Sequence, residues 1–136
     1  MAIDSLRALR PHAYGMIGLL TIQYLLGMAT NLFVTFPSGL SEKNSWLFAW
    51  RQPFLALHMI VGTCLLIGTL TLVVRAIKTR DRVWTIASVS AGVAIVVAYA
   101  TGSLFVSTQS DTYSYLMATG FIVAILAYFW GLYQSK

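Results

Sequence analysis

Four long apolar stretches, separated by short polar ones, set the pattern of this chain: positions 14–36, 53–76, 83–106 and 113–133 of 136. A helix rising 1.5 Å per residue needs about 20 apolar residues to cross a hydrocarbon core of roughly 30 Å, so each stretch has the length of a span. The connections Ile77 to Arg82 and Ser107 to Thr112 are short, which makes successive spans antiparallel neighbours. The expected fold is an all-α integral membrane protein, an antiparallel four-transmembrane-helix bundle forming a single domain over 1–136.

The polar residues inside these stretches keep helical spacing. Gln23, Gly27 and Asn31 recur every four residues in the first span, and His58, Gly62, Leu65, Thr69 and Ala76 share a face of the second. Lipid satisfies neither an amide nor an imidazole, so these faces are expected to turn inward. The third span carries a small-residue stripe at Ala87, Ala91, Ala94, Ala98 and Thr101, and the fourth one at Gly120, Ala124, Ala127 and Gly131. Small stripes let helix backbones approach closely in lipid. Spans 3 and 4 should therefore pack on each other, on a second copy in a homo-oligomer, or on a larger membrane complex.

The longest connection, 37–52, holds Trp46, Phe48 and Trp50, the ring types that settle where headgroups meet acyl chains. Ser45 to Trp50 reads as a short interfacial helical turn that could also lid whatever lies beneath it. Trp84 reads as an anchor at the opposite interface. Residues 1–13 suggest a separate short interfacial helix, with Pro11 starting the first span. A secretory signal is the competing reading of this end. The apolar run is too long for a signal core, and no small-x-small cleavage site follows it.

Composition agrees with the pattern: 58% of residues are hydrophobic and 10% charged, too little polar surface to cover a water-soluble globule. The net charge of +5 raises nucleic acid as a partner, and the placement of the charges argues against it. Arg7, Arg10, Arg75, Lys78, Arg80, Arg82 and Lys136 fall at the two termini and the middle loop, with only Lys43 and Arg51 on the other side. Under the positive-inside rule both termini are cytoplasmic and 37–52 is an outer loop. The lone Cys64 excludes a disulfide framework and a cysteine metal motif. The pieces QYLLGMATNLFVTFP, ALHMIVG and YLMATGF resemble small four-helix bacterial membrane proteins in general character, which implies a bacterial inner membrane.

Chemistry centres on His58, the one histidine well inside an apolar run, because a titratable ring in hydrocarbon marks a site by default. Counting from the run centres places Asn31, His58 and Met117 each roughly 8–9 Å towards the outer face, with Tyr99 and Thr101 in a similar layer. The leading expectation is an outer-leaflet pocket built from His58, Met117, Asn31 and Thr101. Haem b or a metal ion is its most concrete cofactor, with His58 as the metal ligand. Imidazole is a common metal and haem-iron donor and methionine a soft second one. His12 lies at the opposite face, so bis-histidine haem would require a dimer. The alternatives are a small transporter or channel with a polar path through Gln23, Asn31 and His58, and an accessory subunit. The plainest reading of His58 is a hydrogen bond to Asn31, Tyr99 or a carbonyl that only fixes helix register. No span carries an acidic residue, so the carboxylate of many proton-driven transporters is missing, and no nucleophile has the base and acid partners that would mark an enzyme.

Overall fold

The computed structural model describes residues 2–135, with side chains from Leu9 onward, and it is all-helical. In chain order the helices are α1 (Ala2–Phe33), α2 (Glu42–Arg51), α3 (Pro53–Thr79), α4 (Arg82–Thr108) and α5 (Asp111–Gln134). The expectations for Arg7 and Lys136 fall outside the described side chains. Four of the five helices are long and apolar enough to cross a membrane: Leu9–Phe33, Pro53–Thr79, Arg82–Thr108 and Asp111–Gln134. Their outward side chains agree: Leu25, Leu32, Phe33, Ile67, Val93 and Leu126 are each at least 60% exposed, in numbers that water would not tolerate.

The helix ends follow local sequence. Pro53 opens α3 in the first turn, where its missing N–H costs nothing. Asp81 caps α4 by accepting the Trp84 backbone N–H at 2.8 Å. Arg80 and Gln109 close α3 and α4 in the left-handed region, at φ 57° and 56°, so two-residue turns suffice for both connections. The amino-terminal segment is not a separate interfacial helix: α1 runs through Pro11 without a break. The helix in the 37–52 connection is longer than the expected turn, Glu42–Arg51, and buries Ser45 and Ala49.

Several hydroxyls inside the spans are satisfied within their own helices, which is how they tolerate hydrocarbon. Thr21, Thr63, Thr71, Ser103 and Thr119 each donate to the carbonyl four residues back.

Packing is uneven along the spans. In the half away from α2, Leu9, Met16, Leu20, Leu65, Leu72, Trp84, Ile95, Tyr128 and Leu132 belong to one close-packed core. Thr69 and Tyr128 share a hydroxyl–hydroxyl bond at its centre. The small stripes of α4 and α5 meet each other inside the chain. A Cβ at Gly120 would lie 2.8 Å from the Ala94 carbonyl oxygen, and one at Gly131 would lie 2.8 Å from Ala87 Cβ. Contact within the chain therefore accounts for these stripes without a partner chain. Trp84, in the first turn of α4, is only 1% exposed and lies against Gly131, where the glycine leaves room for an indole. α3 packs on α1 and α4, whereas α1 and α5 touch sparsely.

Candidate functional site

In the half nearer α2 the helices enclose a cavity of about 490 Å³. That falls within the roughly 300–1,000 Å³ usual for small-molecule sites. Its floor is Leu20, Leu65 and Ile95, members of the packed core, and Trp46 and Trp50 of α2 line its far end. α2 is held over it by polar bonds to the end of α4. Trp46 Nε1–H donates to Ser107 Oγ at 3.1 Å, Ser107 donates to Glu42 Oε1 at 3.0 Å, and Gln109 Nε2 donates to Ser45 Oγ at 3.3 Å.

His58 lies in this wall, and its partner is none of those expected. Gln23 Nε2 and His58 Nε2 are 3.1 Å apart, so the amide donates to the ring and a neutral imidazole carries its proton on Nδ1. Each side chain rests over a glycine of the other helix. A Cβ at Gly27 would stand 3.2 Å from His58 Cε1, and one at Gly62 would stand 3.1 Å from Gln23 Nε2. The local sequences are the same device read on two helices: glutamine or histidine, three residues, then glycine. In close antiparallel contact, each large polar group then meets the other's gap.

Depth counting from sequence missed this pair because it set Asn31 at the level of His58. The two helices pair in another register: Gln23 meets His58 and Gly62, Gly27 meets His58, and Asn31 lies one turn further towards the α2 end. Nearby, the Phe33 and Phe54 rings lie 5.8 Å apart.

Of the residues singled out from sequence, Gln23, Asn31, His58 and Met117 all line the one cavity, as do Met28 and Tyr99. Thr101 is not among its lining residues. Its hydroxyl donates to Val97 O at 2.8 Å and contacts Ala98 O at 3.2 Å. Sequence reasoning did not single out Thr30, Met59, Phe105 or Phe121, which also line the space. Their only signal was a place on the inward faces.

The lining chemistry is specific in what it lacks. Among the described residues no Asp, Glu, Lys or Arg lines the cavity. Three atoms of its lining residues are buried without a hydrogen-bond partner: Gln23 Oε1, Thr30 Oγ1 and His58 Nδ1. An unmet buried polar group costs about 1–3 kcal/mol. For a haem iron or metal ion, His58 would have to present a free lone pair. Here Nε2 is engaged by Gln23, and the Nδ1–Cε1 edge packs on Gly27. Among the described residues, no group of three or more His, Cys, Asp or Glu gathers to hold a metal. The polar stretch through Gln23, Asn31 and His58 is likewise confined to the cavity, whose floor is apolar.

Comparison with known proteins adds no relative: no family model, curated protein or solved structure matches this chain.

Proposed function

We propose that this protein is a small membrane-embedded binding protein whose cavity beside His58 takes an uncharged, lipophilic small molecule. In this reading the four spans form an antiparallel bundle with both termini cytoplasmic, and α2 lies at the outer face. The observation that carries it is the cavity itself, lined by apolar and neutral polar side chains and, among the described residues, by no charged one. A charged ligand would lose its hydration there without a counter-charge. An uncharged one loses little, and Asn31, Thr63 and Tyr99 in the lining suit its hydrogen-bonding groups. A haem or metal ion is the less favoured occupant, since it requires Gln23 to release the ring.

The test is extraction of small molecules from the protein purified out of its native membrane, compared with Ser103→Trp, which places an indole into the cavity from α4. The expected result is a stoichiometric uncharged compound with the native chain and its loss from the filled variant. Equal recovery from a variant of unchanged melting temperature overturns the proposal. A Soret band or stoichiometric metal would replace it with the haem or metal reading. Solute flux through proteoliposomes would favour the transporter.

A further inference from the structure

We infer that the cavity is loaded sideways from the bilayer through the α1/α5 seam and that its occupant is a ring-bearing lipid of the isoprenoid quinone class. The inference rests on the binding reading above and adds the route and the ligand class.

The route follows from which sides of the cavity are fastened. Between α1 and α3 the Gln23–His58 bond and the two glycine seats close the wall. Between α3 and α4 the Thr63 and Tyr99 hydroxyls lie 3.5 Å apart. Between α4 and α5, Gly120 sits on Ala94 and Ala98, and Met117 sits on Gly102. At the α2 end the bonds through Ser107 hold the aromatic cover in place. Among the described residues the α1/α5 side has no such lock beside the cavity. There the rings of Tyr24 and Phe121 stack, 5.6 Å apart at 26°, and at the remote end Arg10 Nη1 donates to Ser135 O. Both rings line the cavity, and Tyr24 is 51% exposed on the lipid-facing surface. Two stacked rings part at the cost of about 0.5–1.5 kcal/mol beyond their area, so this is the side that yields.

The class follows from the walls. Seven aromatic residues and three methionines surround the space, surfaces that favour a flat ring over a plain acyl chain. Asn31, Thr63 and Tyr99 add neutral polar groups suited to ring oxygens, and no charge is present to hold a phosphate or carboxylate. A quinone ring supplies carbonyl acceptors without charge, and its isoprenoid tail would lie in the seam among lipid chains.

The test uses the full chain in detergent or nanodiscs. Decylubiquinone is titrated against tryptophan fluorescence in a Trp84→Phe/Trp130→Phe background, which leaves Trp46 and Trp50 as reporters. Decanol serves as the tail without the ring. The expected result is saturable quenching at one quinone per chain, unmoved by a tenfold excess of decanol and weakened at least tenfold by Ser103→Trp. In parallel, a photoreactive azidobenzoquinone on the unaltered chain should label Tyr24, Met117 or Phe121, a readout that does not depend on a variant folding. Displacement by decanol overturns the quinone assignment while leaving a lipophilic cavity in place. Labelling confined to the lipid face around Trp130 and Tyr133 overturns both the route and the class. Failure of quinone to bind, with another uncharged compound extracted from the native protein, overturns the class alone.

Discussion

Gln23 and His58, 35 residues apart in sequence, join α1 to α3 by a single 3.1 Å bond in which each lies over the other helix's glycine. The contact is steric and polar together, and the two parts can be tested separately.

The steric part predicts that Gly27→Ala and Gly62→Ala destabilise the protein, because each methyl would press within 3.2 Å of the facing side chain. Overpacking of this kind costs about 1–3 kcal/mol. Gly15→Ala and Gly18→Ala are the controls: a Cβ at either meets nothing within 4 Å. Helix propensity then favours alanine by up to about 1 kcal/mol. Thermal melting in one detergent should move the two pairs in opposite directions.

The polar part predicts non-additivity. His58→Leu or Gln23→Leu alone leaves a buried partner unmet, whereas the double variant removes both groups. A double-mutant cycle of unfolding free energies should return a coupling of about 1 kcal/mol, near the upper values found for hydrogen bonds between membrane helices. A coupling of zero would reduce the pair to shape complementarity.

Gly120→Ala should be harsher than either glycine of the α1/α3 contact. Its nearest neighbour is the Ala94 backbone oxygen at 2.8 Å, which cannot rotate away as a side chain can. The expected readout is a larger drop in melting temperature than for Gly27→Ala.

Trp46→Phe keeps a ring over the cavity and deletes the donor to Ser107. Trypsin cleavage after Lys43 and Arg51 should accelerate several-fold while the melting temperature of the spans stays nearly constant. An unchanged cleavage rate would show that α2 is held by Glu42, Ser45 and apolar contact alone.

Much of the architecture was legible from periodicity because each span is long, apolar and bounded by Pro, Asp or turn residues. The small stripes of α4 and α5 were equally plain, since Gly120 and Gly131 recur at helical spacing opposite Ala94 and Ala87. Two kinds of information were not. Relative register between helices is set by which side chains fit which gaps, and the seats at Gly27 and Gly62 put Gln23 rather than Asn31 beside His58. The packing of Trp84 was hidden for a different reason: only the facing residue, Gly131, shows that its indole turns into the bundle. The residues expected around the cavity were read from their faces and depth. Thr101 shows the limit of that, since a hydroxyl facing inward can spend its hydrogen bond on its own helix.

The bond from Arg10 Nη1 to Ser135 O spans 125 residues. It brings together the first and last helices of the chain, and these same two flank the seam. During synthesis α3 and α4 can pair as a hairpin, and α1 can settle on α3, long before α5 exists. The chamber is therefore the last part of the molecule to be assembled. Until α5 arrives, α1 and α3 present Gln23 and His58 along an open trough in the lipid. A chain halted before α5 would keep most of its spans and none of its enclosure.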